Sequence, residues 1–170
     1  MEKVAKFEKV SLNQFVKDFK ETFPDFKEEE IKKIYDEIKL PCRATCQSAG
    51  YDFYMPLDFI LNPGETMKIP TGIRARINDG WFLAIFPRSG LGFKYRLQLN
   101  NTVGIIDADY YGALNEGHIQ IKMTNDSNVG KICKLDKGQG FAQGIFMPFG
   151  IVEDDNQTEK RVGGFGSTNK

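Results

Sequence analysis

Three segments in the second half of the chain hold the residue types that bind phosphate and activate water. Residues 87–92 (PRSGLG) and 161–168 (RVGGFGST) combine glycines and hydroxyls with an arginine. Backbone N–H groups and hydroxyls in such segments can cradle phosphate, and a neighbouring cation strengthens the contact. Residues 101–110 (NTVGIIDADY) place a carboxylate at the end of an apolar run, with an aromatic three residues later. Together these types suit chemistry at a phosphorus centre.

Asp107 is the strongest candidate for a catalytic group. It ends the apolar run Val103–Ile106, so its carboxylate is expected to be partly shielded from water. A carboxylate held in this way can orient and deprotonate a water for attack on phosphorus. Asp109 is interpreted as a solvated turn residue. Tyr110 offers a flat face to a sugar or base, unless it only packs within the fold.

The segment Pro87–Gly92 is interpreted as a binding loop at the end of a strand. It directly follows the apolar run Trp81–Phe86. Arg88 brings a charged bidentate fork, while Ser89 and the glycines beside it let the backbone approach an anion closely. The same composition also fills ordinary turns, so the position after a strand is what favours binding.

The glycine-rich segment Arg161–Thr168 is expected to be a flap that becomes ordered over a ligand. Glycines lose more conformational entropy on ordering than other residues, so this segment is a poor structural element by itself. Phe165 can stack on a planar ring, and Ser167 and Thr168 can donate to phosphate. The alternative interpretation is a disordered terminus.

The composition argues against some partners. Apolar residues make up 41% of the 170 residues and charged residues 27%, as in an ordinary globular domain. The 23 basic residues balance 23 acidic ones, whereas proteins that bind duplex nucleic acid usually carry a basic excess. We therefore expect no polymeric nucleic acid partner. Binding a nucleotide needs only a few local cations, so this charge balance does not argue against a nucleotide ligand.

The sequence predicts a cytoplasmic protein without membrane contact. No apolar run reaches the length that spans a bilayer, and residues 1–6 (MEKVAK) lack the core of a signal peptide. Three cysteines fit a reducing compartment better than a disulfide framework. Cys42 and Cys46 lie four residues apart, but only Cys133 and the single histidine, His118, remain to complete a zinc site. Free thiols are the favoured interpretation.

The first forty residues, 1–40, are expected to form an αα-hairpin. Apolar residues recur at helical spacing over residues 12–23, and Ser11 with Gln14 suggests a capping box. A second helix with one apolar face is expected over residues 28–38, starting from three glutamates. The hairpin should pack on the rest of the protein or on a neighbouring subunit, with a structural rather than catalytic role.

From residue 41 the pattern changes to short strands separated by turn signals, which predicts a mainly β barrel or jelly roll over residues 41–152. Residues 153–170 are expected to be a flexible tail that carries the glycine-rich lid. The clearest predicted strands are Thr66–Pro70, Ile73–Ile77, Trp81–Phe86, His118–Met123 and Phe141–Met147.

Five stretches resemble, in family order, the motifs of the trimeric dUTP pyrophosphatases (dUTPases). Any one of these matches is weak, but five in order are specific. The resemblance implies a jelly-roll-like β-barrel of the dUTPase type that assembles as a homotrimer. It also implies Mg²⁺-dependent hydrolysis of dUTP to dUMP and pyrophosphate. The matching stretches are Ala49–Asp52, Pro87–Gly92, Gly104–Gly112, Gly140–Gln143 and Arg161–Thr168.

The resemblance also implies roles for individual residues. Asp107 would position the water that attacks the α-phosphorus, and Tyr110 would pack under the deoxyribose, where a ribose 2′-hydroxyl would clash. Mg²⁺ would be chelated by the triphosphate, with Asp52 touching it only through water or bracing Arg88. Uracil would be read by Asn101 and by the backbone of Gly104, Ile105 and Ile106. Phosphate oxygens would be held by Arg88, Ser89, Gly90 and Gln143.

The resemblance implies that three subunits share each active site. One would supply the third motif, another the first, second and fourth, and the remaining one the tail. In the tail, Phe165 would lie over the uracil. The terminal phosphates would be contacted by Arg161, Ser167 and Thr168, and Gly166 would be a further substrate-binding residue.

The chain departs from the family pattern in four places. Gly140 stands where the family usually has a basic residue. Lys160 has the spacing of the tail arginine, but Arg161 is preferred as the phosphate ligand because its fork suits phosphate. The stretch Tyr111–His118 is longer than the usual link after the third motif. The N-terminal hairpin, 1–40, has no counterpart in the common pattern.

Two alternatives to a dUTPase stay open from the sequence. A dCTP deaminase shares the fold and needs an acid/base group near the pyrimidine amine, for which Glu116 is the only nearby candidate. A nucleotide-sensing module, with the hairpin as effector arm, would have no need of Asp107.

Overall fold

The computed structural model describes residues 2–159 and 163, and within that range most of the ordered elements are β-strands. This confirms the expected mainly β class. The elements are β1 (Ala5–Lys9), α1 (Leu12–Thr22), α2 (Glu28–Asp36), β2 (Cys42–Arg43), β3 (Tyr51–Tyr54), β4 (Phe59–Leu61), β5 (Thr66–Pro70), β6 (Ile73–Ile77), β7 (Trp81–Pro87), α3 (Ser89–Tyr95), β8 (Leu97–Leu99), β9 (Gly104–Ile106), a 3₁₀ helix (Ala108–Gly112), β10 (Gln120–Asn125), β11 (Cys133–Leu135) and β12 (Gly140–Pro148).

The strands of the described part form four hydrogen-bonded sheets arranged in a jelly-roll-like fold, without one continuous closed barrel. The largest sheet has five strands in the order β2-β3-β12-β7-β9. The others are β5-β10-β8, β11-β4 and β1-β6. Since β12, β7 and β9 are antiparallel neighbours, residues far apart in sequence meet along one surface.

The strands enclose a core of aliphatic and aromatic side chains. Phe53, Leu83 and Phe141 are at most 1% exposed, and each of them lies in a strand of the five-stranded sheet. Burying an aliphatic or aromatic side chain of this size stabilises a fold by about 1.5–3 kcal/mol, before the entropy cost of ordering the chain is subtracted. Cys133 is also buried in this core, while Cys42 and Cys46 are exposed, and all three are free thiols as expected.

The N-terminal segment contains a strand that the sequence pattern did not predict. β1 pairs antiparallel with β6 over five residues, from Ala5 opposite Ile77 to Lys9 opposite Ile73. The Phe7 ring contacts the rings of Tyr51, Phe53 and Phe146 in the five-stranded sheet. Residues 5–9 are thus part of the β architecture and not of a helical hairpin.

The two helices of the N-terminal segment lie where the helical spacing predicts them. Phe15, Phe19 and Ile31 are fully buried between the helices and the strands. Phe15 lies directly over Gly72 in the β5–β6 turn, where φ is +73°. The helices therefore dock on the β domain of the same chain. None of the helices in residues 2–159 is long and apolar enough to cross a membrane.

The predicted capping box of α1 is only half correct. The Ser11 side chain accepts a hydrogen bond from the Gln14 N–H at 3.1 Å, as expected. The Gln14 side chain does not return the bond, because it donates to Asp18 at 2.9 Å instead. The Ser11 N–H donates to the distant Glu116 carboxylate at 2.7 Å. The start of α1 is thus fixed to a loop about a hundred residues further along the chain.

Candidate active site

Three neighbouring strands bring together the predicted residues of the first, second and fourth motifs. Gln143 of β12 lies opposite Asp52 of β3 on one side and Phe86 of β7 on the other. Arg88 follows the end of β7, and its Nη1 donates to Asp52 Oδ2 at 2.7 Å. Gln143 Nε2 donates to the carbonyl oxygen of Pro87 at 3.1 Å, which ties the fourth motif to the start of the second.

Gly140 stands where the family pattern has a basic residue, and the Arg88 side chain fills the space beside it. A Cβ at this position would lie 2.6 Å from Arg88 Nη1, which is closer than real Cβ contacts allow. A larger side chain would therefore have to displace the guanidinium from its contact with Asp52. The space that Gly140 leaves is occupied by Arg88.

A cleft of about 470 Å³ opens beside this cluster, and its walls carry several cations. We call it the basic cleft; it is lined by Arg88, Gly90, Leu91, Lys94, Tyr95, Lys134, Gln139 and Gly140. Lys94 and Lys134 were not predicted. Lys94 lies in the short helix α3, for which the sequence predicted only a loop, and Lys134 comes from the separate β4-β11 sheet. The cleft suits an anionic ligand such as a polyphosphate.

Ser89 and Gly90 were expected in a loop, but they are the first residues of α3. Arg88 precedes the helix with extended backbone, and the N–H groups of Leu91 and Gly92 both bond to its carbonyl oxygen. The Ser-Gly pair is exposed beside the basic cleft. A helical turn holds these two residues in a more defined position than a loop would.

Asp107 is half-buried and lies between β9 and the 3₁₀ helix, whose N-cap it forms. The turn expected around Asp109 takes the form of this 3₁₀ helix, which the sequence pattern did not predict. The turn arises because the Tyr110 N–H bonds back to the Asp107 carbonyl oxygen at 3.2 Å. The backbone of Asp107 is thus held at the end of β9, and its side chain is half-buried.

A second cleft, of about 510 Å³, lies beside β9, and we call it the apolar cleft. This volume is typical of small-molecule sites. It includes three of the residues expected to read a base, namely Asn101, Gly104 and Ile106, whereas Ile105 is 51% exposed on the other face of the strand. The cleft is lined by Glu21, Lys68, Ile85, Leu99, Asn100, Asn101, Gly104, Ile106, Asn115, Ile119, Gln120, Ile121 and Lys122.

Tyr110 is held firmly behind this cleft. Its ring is only 3% exposed, and its hydroxyl donates to the carbonyl oxygen of His118 at 2.8 Å. The same hydroxyl accepts a hydrogen bond from Asn115 Nδ2 at 2.8 Å. Asn115 lines the apolar cleft, so Tyr110 is one hydrogen bond away from it. Glu21 and Lys68, which the sequence did not suggest, also line this cleft.

Asp107 and Arg88 lie near opposite ends of strand β7. Ile106 pairs with Leu83 near the start of β7, and Asp107 follows it, while Arg88 comes after the last residue of the strand. Five residues separate Leu83 from Arg88, which corresponds to about 16 Å at ~3.3 Å per strand residue. The Arg88 guanidinium then extends away from β9, across β12 to Asp52 on β3. One chain therefore does not bring Asp107 and Arg88 to the same point.

The remaining predicted site residues lie outside the described part of the chain. These are the tail residues Arg161, Phe165, Gly166, Ser167 and Thr168, together with Lys160. Within the described residues, no group of three or more His, Cys, Asp or Glu side chains is placed to hold a metal ion. His118 in particular is engaged by Asp18 and by the Gly72 N–H.

The sequence is similar to known proteins over most of its length. The dUTPase family model matches residues 36–169. The deoxyuridine 5′-triphosphate nucleotidohydrolase of Lactococcus lactis is 42% identical over 134 residues, which cover 77% of this chain and 88% of that protein. The enzyme of the same name from Haemophilus influenzae strain PittEE is 43% identical over 146 residues, covering 81% and 92%.

The fold is also similar to a solved structure. The dUTPase from Streptococcus mutans superposes with a TM-score of 0.64 and 33% identity, covering 86% of this chain and 98% of that one. The family model begins at residue 36, so β1, α1 and nearly all of α2 precede the matched region.

Proposed function

The chain belongs to the dUTPase family, and we propose on this basis that it hydrolyses dUTP to dUMP and pyrophosphate. The observation that carries the proposal is the pair of clefts: an apolar one beside β9, the strand that Asp107 follows, and a basic one around Arg88. A pyrimidine suits the first, and a triphosphate suits the second. The relatives named deoxyuridine 5′-triphosphate nucleotidohydrolase support this substrate.

The proposed chemistry is in-line attack of water on the α-phosphorus. Asp107 orients the water and accepts its proton, and its half-buried place after β9 supports this role. The uracil lies in the apolar cleft against Asn101 and the backbone of residues 104–106. Tyr110 supports the deoxyribose from below. The bond from the α-phosphorus to the bridging oxygen breaks, and pyrophosphate leaves.

Arg88, Ser89, Gly90 and Gln143 are proposed to hold the phosphate oxygens in the basic cleft. Fixed donors aimed at the phosphates stabilise the charge that develops there during the attack. The Arg88–Asp52 bond of 2.7 Å prepares the guanidinium for this role before substrate arrives. Arg161, Phe165, Gly166, Ser167 and Thr168 are proposed to complete the site over the bound nucleotide.

The separation of Asp107 from Arg88 supports an active site shared between subunits. The two residues lie at opposite ends of β7, and Arg88 is directed across the sheet towards Asp52. We propose a homotrimer in which Asp107 of one subunit and Arg88 of another act on the same nucleotide. Exposed apolar side chains near the end of β12, including Phe149, Ile151 and Val152, offer surface for such contacts.

Mg²⁺ is the proposed cofactor, and the donor groups fit a metal carried by the substrate. The described residues lack a complete cluster of ligands, and Asp52 is already bonded to Arg88. Mg²⁺ prefers to keep several waters and to bind through one or two carboxylates and substrate phosphates. Asp52 would thus contact it only through water. When bound, Mg²⁺ would neutralise phosphate charge and fix the triphosphate conformation.

The structure disfavours the deaminase alternative at the residue it depends on. Both oxygens of the Glu116 carboxylate accept hydrogen bonds from Ser11, from its N–H at 2.7 Å and its hydroxyl at 2.6 Å. Burial acts to raise the pKa of Glu116, but the Ser11 bonds outweigh it and the net pKa is lowered. A general acid near neutral pH needs a raised pKa instead. Glu116 is therefore suited to an anchoring role.

The proposal also includes a cytoplasmic location, which the three free thiols support. The nucleotide-sensing alternative gains no specific observation, because the half-buried Asp107 after β9 suits catalysis and is not needed for binding alone.

The test is a comparison of nucleotides with the full chain and Mg²⁺. We expect pyrophosphate release with dUTP, at a rate far above that with dCTP, dTTP or UTP, and no ammonia release from dCTP. Ammonia from dCTP would establish the deaminase instead. Nucleotide binding without any release of pyrophosphate would establish the sensing module.

A further inference from the structure

The N-terminal segment, defined here as residues 2–36, bonds to the loop that follows Asp107. Residues 108–118, which we call the site loop, contribute three side chains to these contacts. The Tyr111 hydroxyl donates to Glu8 at 2.6 Å, the Glu116 carboxylate accepts from Ser11, and His118 bonds to Asp18. The site loop and the N-terminal segment are therefore partners of each other.

The innermost of these contacts is a buried hydrogen-bonded pair, Asp18 with His118. Asp18 is 4% exposed and His118 is fully buried, with Oδ2 and Nδ1 2.5 Å apart. The other ring nitrogen, Nε2, accepts the Gly72 N–H at 2.8 Å, so the His118 proton lies on Nδ1 and is donated to Asp18. Every polar atom of the His118 ring has a partner, and the ring has one orientation.

His118 in turn determines where Tyr110 lies. Its carbonyl oxygen accepts the Tyr110 hydroxyl at 2.8 Å. The backbones of the two ends of the loop are also in close contact, because a Cβ at Gly117 would lie 2.7 Å from the Tyr110 carbonyl oxygen. A movement of His118 would therefore also move Tyr110.

We propose that the N-terminal segment is a positioning element of the active site, and that Asp18 and His118 are positioning residues that hold Tyr110 against the sugar of the nucleotide. This inference rests on the proposed function, since it assumes that Tyr110 packs under deoxyribose. It assigns the N-terminal segment a part in the discrimination between deoxyribose and ribose. It goes beyond the packing role that the sequence pattern suggested.

Packing alone does not account for Asp18. The helices already bury Phe15, Phe19 and Ile31 completely, which is sufficient to dock them. A buried carboxylate has a desolvation cost, and an apolar pair of similar volume usually stabilises a fold as well or better. The Asp18–His118 pair contributes something that apolar packing does not, because its directional hydrogen bonds fix the position of His118.

The N-terminal segment also reaches the apolar cleft itself. Glu21, in the last turn of α1, lines that cleft together with Lys68 of β5, and the two side chains lie 3.7 Å apart. Docking of α1 thus affects the wall of the cleft directly at Glu21, and Asp18 acts on it through His118 and Tyr110.

The experiment compares the ratio of kcat/KM for dUTP to that for UTP in matched variants of the full chain. Asp18→Ala should lower this ratio by about tenfold or more, because a misplacement of about 1 Å caused by a distant mutation can have an effect of ~10²-fold. Asp18→Asn still accepts the His118 proton and should keep the ratio within about threefold of the unaltered protein. Ile31→Ala creates a cavity between the same two helices and leaves the loop contacts intact. It should lower the melting temperature without changing the ratio.

An unchanged ratio in Asp18→Ala, or an equal fall in Ile31→Ala, would overturn the proposal. Should Asp18→Ala fail to fold, Glu116→Gly serves in its place. It removes the bonds to Ser11 at a residue whose φ of +58° suits glycine, and the ratio should again fall.

Hydrogen exchange separates this inference from the proposed function. The amides of residues 108–118 should exchange faster in Asp18→Ala than in Ile31→Ala, whether or not dUTP is a substrate. Equal exchange would show that the pair does not hold the site loop. If the unaltered protein did not hydrolyse dUTP at all, the proposed function would be wrong. The exchange rates would still show whether Asp18 and His118 hold the site loop in place.

Discussion

Asp107 and Asp109 are two acids of the same loop with different surroundings. Asp107 is half-buried at the end of β9, whereas Asp109 is exposed within the 3₁₀ helix. The proposed mechanism gives a task only to the first. The pair therefore offers a matched test in which the same chemical change is made two residues apart.

Asp107→Asn is expected to lower kcat for dUTP by roughly 10²–10⁴-fold, the range that general base catalysis contributes, while leaving dUTP binding nearly unchanged. The amide keeps the size of the carboxylate but cannot accept the proton of water. Steady-state kinetics and calorimetric binding of dUTP measure the two effects. Asp109→Asn is the control and should change kcat by less than about tenfold; retained activity in Asp107→Asn would contradict the mechanism.

Glu8 should make the stability of the protein depend on pH in the acid range. Hydrogen bonds from Lys6 and Tyr111, with the nearby charge of Arg74, lower its pKa from 4.5 to about 2 against the opposing effect of burial. A group whose pKa is lowered by folding stabilises the folded state above its unfolded pKa and loses this contribution as pH falls.

The unaltered protein should therefore unfold at a higher temperature than Glu8→Gln at pH 7, and the difference should vanish as pH falls from about 4.5 towards 2. Thermal melts across this pH range provide the measurement. Asp58→Asn is a suitable control, because Asp58 is exposed and belongs to another part of the surface. A difference that stayed constant with pH would show that Glu8 acts through packing and not through its charge.

Among the secondary-structure elements, those with a regular local pattern could be predicted well. β5 and β6 have the predicted bounds, and α1 begins at the predicted residue, because alternation and helical spacing are properties of the local sequence. β1 was not predicted, since five residues with alternating charges form a strand only when β6, about 70 residues away, supplies the hydrogen bonds. α3 was not predicted either, because its two glycines favour a turn.

The C-terminal tail gives a prediction at the level of the element. Removing residues 157–170 should leave a folded protein, because both buried hydrophobic clusters lie within residues 4–146. The melting temperature is expected to change by less than about 4 °C. The value of kcat/KM for dUTP should fall by about tenfold or more, because the proposed stacking and phosphate contacts are lost. Phe165→Ala in the full chain is the matched control for stacking alone, and unfolding of the shortened chain would make the tail structural.

For the molecule as a whole, the distance between Asp107 and Arg88 leads to a complementation test. Asp107→Asn and Arg88→Ala should each be nearly inactive as pure assemblies. Co-expression of the two should restore activity, because some sites then combine an intact Asp107 from one subunit with an intact Arg88 from another. With random mixing, about a quarter of the sites would be complete.

The control for this test is co-expression of Asp107→Asn with the double variant Asp107→Asn/Arg88→Ala. No subunit then carries Asp107, so no activity should return. If the first mixture also stayed inactive although mixed assemblies formed, both residues would have to act from the same subunit. The shared site would then be wrong, while the family assignment would stand.

The site as a whole could be predicted only in part. Asp52, Arg88, Gln143 and Asp107 belong to motifs that resemble those of the dUTPases in order, and this resemblance is enough to indicate a nucleotide site. The partnership of Asp18 with His118 could not be predicted in this way, because the two residues are 100 positions apart. It depends on how α1 docks, which no local pattern of the chain describes.

Strand β1 has a consequence for the solubility of the chain. Within the described residues β6 is hydrogen-bonded in a sheet only to β1, so β1 covers an edge that would otherwise present unpaired backbone groups. Exposed edges of this kind recruit strands from other molecules. If β1 were released, the vacant edge would accept either its own strand or the same strand of another copy. The five residues Ala5–Lys9 thus protect the protein from aggregation, and they are also the segment that two copies would exchange.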